Sequence, residues 1–267
     1  MTATVLHGVA ALATLLPAAL LPLRGPVDGR DTVFWPLILV AVVGPVAFDL
    51  SVAWQAWPTG FSAALWITVG ATAAAFALLA AMMPAARRLA PLLFPYLALL
   101  GLIGTIWLAA PARPLSGHSP PAWLALHIAT SVATYALATL AAVSGLAVTL
   151  QERAIRTRRP SRLARALPPV AEAERLEVIL LWLAGTVLVV GLVSGVTTLW
   201  LAERHLLALD HKTVLGIAAL AVIGGLLAAR RVSGLRGRRA ARLVLLAFLL
   251  LTLAFPGVKF VTDVVMG

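Results

Sequence analysis

Cysteine is missing from the 267-residue sequence altogether. Disulfide scaffolding, thiolate-held clusters and thiol redox chemistry are therefore excluded for this chain. Charge is also scarce: Asp, Glu, Lys and Arg make up 12% of the residues, against about 25% in ordinary soluble domains. Only ten residues are acidic. No paired carboxylates, Ser–His–Asp spacing, phosphate-cradling glycine loop or metal-hydrolase signature appears, so the sequence offers no catalytic machinery of a known kind. The formal charge of +11 would suit nucleic acid, but the basic segments lack the interleaved aromatics on which bases stack.

Apolar residues are abundant, at 61% of the chain. A chain of this kind belongs in a bilayer, where about 20 consecutive apolar residues cross the hydrocarbon core as a helix. Eight apolar segments can be counted: 4–23, 33–53, 61–83, 89–110, 121–150, 177–201, 209–229 and 240–265. The pattern predicts an all-α polytopic membrane protein, a single integral membrane domain over 1–267 with eight transmembrane helices. The fifth segment is long and is expected to project from the bilayer at its basic end. Pro17, Pro45 and Pro95 fall inside spans, where neighbouring helices re-satisfy the freed backbone. The opening MTATVLHGVAALATLLPAALLPL has no basic residue ahead of its apolar run and no obvious cleavage site, and reads as a retained first span.

The basic residues divide unequally between the two sides. Seventeen of the 21 fall in alternate loops beginning with 24–32, and only Arg113, Arg204, Lys212 and Lys259 fall on the other side. Cytoplasmic loops carry the excess of Lys and Arg, so both termini are expected outside. The seven arginines of 151–176 and the six of 230–242 would then lie in the cytoplasm. The excess is a topology signal that also attracts anionic lipid headgroups.

With that orientation all five histidines fall on the outer side. His118 reads as a solvated loop residue, His205 as an interfacial side chain, and His7 as a packed histidine. His127 differs, because it lies inside the apolar run WLALHIATSVATYAL, where an ionisable residue is a functional hypothesis by default. His211 stands between Asp210 and Lys212 in ALDHKTVLG. A carboxylate beside an imidazole can orient it as a metal ligand; Asp210 also reads simply as the cap of the next helix. Asp49, Lys259 and Asp263 lie near outer ends too, the last two as an i,i+4 pair that can be purely structural. Trp54, Trp57, Trp107, Trp123 and Trp200 form an interfacial belt and would also suit a flat apolar cofactor. A bare zinc site prefers three or four ligands, whereas haem supplies four of iron's ligands itself and needs one or two axial side chains. Lys212, Arg204, Lys259 and Arg113 are on the correct side to meet its propionates.

From Trp123 to Gly267 the sequence resembles the CcsA/CcmC cytochrome c assembly superfamily, most closely its YpjD/HemX branch. The resemblance rests on WLALHIATSVATYALATLAAVSGLAVTLQER, LPPVAEAERLE, LVSGVTTLW, DHKTVLG and RGRRAARLVLLAFLLLTLAFPGVKFV, in that order. Segments 1–110 match by hydropathy alone. The resemblance implies haem handling at the outer face of the bacterial cytoplasmic membrane, with a non-covalent b-type haem. It puts His127 where the family holds external haem, and His211 within the family's tryptophan-rich loop, which is eroded here to Trp200. A second histidine expected near the end of the last span is absent, and Lys259 occupies that neighbourhood. His127 and His211 would then form the axial pair, with Asp210, Lys212, Trp123 and Trp200 around the cofactor.

Three functions compete at this point. One is a haem-binding accessory protein of cytochrome c assembly, partnered by another assembly protein, rather than a complete synthase. The second is a regulator or scaffold that holds a cytoplasmic enzyme of haem synthesis through the basic loop 151–176. The third is a solute transporter using Asp49, Asp263 and Lys259; such sites usually lie at the midplane between internal repeats, and no repeat is visible.

Overall fold

The structure is a computed structural model that describes residues 2–20, 32–54, 60–110, 121–203 and 211–266. Every regular element among them is helical. Helices α1 (Thr2–Ala19), α2 (Phe34–Ala53), α3 (Phe61–Met82) and α4 (Ala90–Ile106) pack on one another, a tight 3₁₀ segment Pro84–Leu89 joining the last two. Helices α5 (Pro121–Thr157), α7 (Val170–Glu203), α8 (His211–Val232) and α9 (Gly237–Thr252) form a second group, with the short α6 (Arg162–Ala166) in the basic loop. Packing of α3 against α5 joins the groups.

Among the described residues seven helices are long and apolar enough to cross a membrane, and the chain is a multi-pass membrane protein. The first expected span is shorter, an apolar helix over Thr4–Ala19. It is nevertheless built into the bundle: Leu15 and Ala18 are fully buried, and Gly44 of α2 gives Thr14 the space that any Cβ would fill. As expected, α5 extends well past its apolar run, to Thr157. Helix α7 begins earlier than its expected span, at Val170, because Glu174 and Glu177 find partners inside the protein rather than in water.

Those partners lock the basic end of the second group. Glu177 is fully buried and ion-paired to Arg230 of α8, and Gly145 of α5 leaves room for its carboxylate. Glu174 accepts the Gly237 backbone N–H at 2.7 Å, capping a helix whose own N-cap, Arg236, makes no side-chain cap bond. Gln151 Nε2 donates to the carbonyls of Ala164, Leu167 and Pro168 at 2.9, 3.2 and 3.1 Å. One amide thus ties the basic loop back onto α5.

The other end of α9 departs from α-geometry. Leu253–Gly257 and Val261–Val265 are π-helical, separated by one α turn at Val258–Phe260. Pro256 supplies no N–H to the first segment, which suits a widened turn; such turns recur at functional sites.

Candidate functional site

A cleft of about 420 Å³ opens between α5, α7, α8 and the widened end of α9. Its volume lies in the ~300–1,000 Å³ range of small-molecule and cofactor sites. Helix α5 contributes His127, Ser131, Thr134 and Tyr135, a set spaced i, i+4, i+7 and i+8 and so aligned on one helix face. Leu188, Leu192, Leu251 and Phe255 supply apolar walls from α7 and α9. Lys212 from α8 and Lys259 from the end of α9 add two cations.

The imidazole of His127 is held by α7. Its Nδ1 lies 3.1 Å from the Gly191 carbonyl and 3.2 Å from Ser194 Oγ. A carbonyl oxygen can only accept, so Nδ1 carries the proton and Nε2 keeps its lone pair. Ser194 Oγ itself donates to the Gly191 carbonyl at 2.9 Å. Gly195 lies against the ring: a Cβ there would sit 2.9 Å from His127 Cε1 and 3.3 Å from Nδ1. The run Gly191–Ser194–Gly195 is therefore a seat for one imidazole. Sequence reading missed its role, because small residues in an apolar span read first as general helix packing.

Below the imidazole the cleft has a hydroxylated floor. Tyr135 OH is hydrogen-bonded to Tyr96 OH of α4 at 3.1 Å and to Thr252 Oγ1 of α9 at 3.3 Å. Phe248 and Phe255 flank its ring at centroid distances of 5.6 and 6.0 Å. Thr134 is 3% exposed, and its Oγ1 has no hydrogen-bond partner among the described residues. Thr134 lines the cleft, so this buried hydroxyl is available to whatever occupies it.

Of the residues expected from sequence, the structure brings His127, Lys212 and Lys259 to one cleft. His211, the first residue of α8, has an exposed side chain and does not line it. Trp123 and Trp200 are each 40% exposed and also lie outside the lining. Asp210, Arg113, Arg204, His118, His205 and Trp57 fall outside the described residues. His7 is exposed on α1. Asp49 approaches α3 at Gly70, away from the cleft lining. Asp263, one turn beyond Lys259, is buried, and its Oδ1 accepts from Thr262 Oγ1 at 3.0 Å. Among the described residues no three His, Cys, Asp or Glu side chains gather as a metal site.

The family model of the cytochrome C assembly protein matches residues 33–266. The chain belongs to the cytochrome c assembly protein family. The match covers α2–α4 as well as the C-terminal half, so the superfamily resemblance extends into spans that sequence reading matched by hydropathy alone. An "Uncharacterized 28.8 kDa protein in nifR3-like 5'region" from Azospirillum brasilense is 48% identical over 271 residues, covering 100% of both chains. No solved structure matches. Membership of the cytochrome c assembly family links this multi-pass protein to haem-related cytochrome c biogenesis.

Proposed function

We propose that the cleft holds a non-covalent b-type haem at the outer face of the bacterial inner membrane, and that the protein is an accessory factor of cytochrome c assembly. The observation that carries this reading is His127: one imidazole, its tautomer set by the Gly191 carbonyl, lining a cleft that also presents two lysines. The residues fit the group. Nε2 has the lone pair for iron, and donation of Nδ1–H to a carbonyl raises the basicity of a ligating imidazole. The leucines and Phe255 suit the faces of a porphyrin, and Lys212 and Lys259 suit its two propionates. When bound, haem supplies the redox-active iron; the chain supplies its orientation and its exclusion from water. The orientation proposed from charge, with eight spans and both termini outside, puts the cleft at the outer face.

His211 would help to hold the haem iron only through movement of the first turn of α8, since its side chain is exposed outside the lining. The test is the visible spectrum of the detergent-purified chain reconstituted with haem. Wild type should show a Soret band, and His127→Ala should lose most of it. His211→Ala shifts the band if two histidines ligate and leaves it unchanged if His127 acts alone. A wild type that retains no Soret absorbance once unbound haem has been removed overturns the proposal.

A second reading, the scaffold for a cytoplasmic enzyme of haem synthesis, is supported by the basic loop. Ser161 caps α6 by accepting from Ala164 N at 3.1 Å, Gln151 clasps the loop, and Arg158 and Arg159 are exposed on it. Charge reversal at Arg158, Arg159 and Arg162 should abolish capture of such an enzyme while leaving the haem spectrum intact. Equal capture by the reversed loop removes this reading.

A further inference from the structure

A groove on the membrane-facing side of α7 and α8, near their basic ends, encloses about 400 Å³. Its walls are apolar and low: Gly185 and Val189 on α7, and Leu220, Gly224 and Ala228 on α8. A Cβ built on Gly224 would meet nothing within 4 Å, so that position is open space rather than helix packing. At the basic end stand Trp182 and Arg231, the guanidinium carbon 5.1 Å from the indole centroid. The two arginines that end α8 are thus used differently. Arg230 turns inward to Glu177, while Arg231 lies over an indole that is itself 46% exposed.

We propose that this groove is a binding site for one anionic phospholipid, with an acyl chain laid along Gly224 and Ala228 and its phosphate on Arg231. Length supports this occupant: from Leu220 to Arg231 the helix rises about 16 Å, close to half of a ~30 Å hydrocarbon core. The chemistry of the end supports it as well. A guanidinium stacked on an aromatic face keeps its N–H edge for bidentate phosphate binding, and Trp is at home at headgroup level. A second copy of the chain would instead bring Arg231 toward Arg231.

The test is native mass spectrometry of the full-length protein released from detergent containing phosphatidylglycerol or phosphatidylcholine. Wild type retains one phosphatidylglycerol. Arg231→Gln weakens that retention about fivefold, the factor equivalent to the ~1 kcal/mol of one basic side chain near an anionic surface, and weakens phosphatidylcholine, whose phosphate charge is offset by its choline, by less. Gly224→Leu fills the groove and removes both lipids. Arg158→Gln, an exposed change on the basic loop, alters neither. Three results would overturn the proposal: full retention by Arg231→Gln or by Gly224→Leu, an equal loss in Arg158→Gln, or a dimer mass that Gly224→Leu converts to monomer.

Discussion

Substitution of Gly195 by alanine puts the proposed seat of His127 to its sharpest test. The added Cβ would stand 2.9 Å from Cε1 and 3.3 Å from Nδ1 of the imidazole, closer than carbon atoms pack. Both groups are carried on long helices, so the ring is the part that yields. Any swing away from α7 lengthens the bond from Nδ1–H to the Gly191 carbonyl, already 3.1 Å. Loss of a half-buried hydrogen bond costs about 1 kcal/mol, and the overpacking itself adds about 1–3 kcal/mol. Disturbing the group that orients a ligating histidine typically lowers metal-site affinity by about 10–100-fold. Haem titration of the purified variant, followed at the Soret band, should therefore give a dissociation constant raised by one to two orders of magnitude. Gly225→Ala is the control: its Cβ would meet nothing within 4 Å, and replacing a helical glycine there should leave haem affinity unchanged. Equal affinities for wild type and Gly195→Ala, with identical spectra, would refute the idea that Gly195 seats the ring.

Three further outcomes can be measured directly. Lys212→Ala and Lys259→Ala should each weaken haem binding several-fold while leaving haem dimethyl ester binding unchanged, because the ester has no propionate charge to meet; equal effects on both ligands would rule out a propionate role. Glu177→Ala strands the guanidinium of Arg230, which is only 11% exposed, and should cost about 3–5 kcal/mol. Thermal unfolding in detergent measures that loss, and Glu177→Leu combined with Arg230→Met should recover most of it. Gln151→Ala frees three loop carbonyls and should speed tryptic cleavage after Arg158; unchanged cleavage kinetics would mean that the amide does not hold the loop.

Much of the architecture is legible in the sequence because the bilayer leaves the chain few options. Backbone polar groups in hydrocarbon must be satisfied internally, and a helix is the local way to do so. The segments expected at 33–53 and 61–83 thus become Phe34–Ala53 and Phe61–Met82 almost residue for residue. What was not legible depends on contacts between helices. Nothing local marks Gly191 and Gly195 as the seat of His127 rather than as spacers, since the ring that needs them lies more than sixty residues away. The early start of α7 is similar: Glu174 and Glu177 look like the end of a loop until Gly237 and Arg230 are seen to receive them. The first widened turn of α9 packs against α8 and contains Pro256, whereas hydropathy alone gives only one continuous span.

The neighbours of His211 carry a more general point about apolar helices. His211 and Lys212 look like one polar unit in sequence, yet consecutive residues on a helix stand about 100° apart and need not meet the same neighbour. Lys212 lines the cleft and His211 is exposed outside it. Arg230 and Arg231 divide in the same way, one locked to Glu177 and the other lying over Trp182. The useful spacing is instead the one that returns to the same face. From His127, steps of four and seven reach Ser131 and Thr134, both in the cleft. A ligand set read from adjacency alone is therefore prone to false pairs, and one read at helical spacing outward from a single half-buried histidine recovers the cleft face of α5. Ile128 also borders the cleft, but the Gly191 carbonyl receives the ring at position 127; moving the histidine by one residue, as in His127→Ala with Ile128→His, should therefore fail to restore haem binding although the number of histidines is unchanged. Restored binding in that double variant would show that the cleft selects a histidine by proximity alone, and the seat on α7 would lose its purpose.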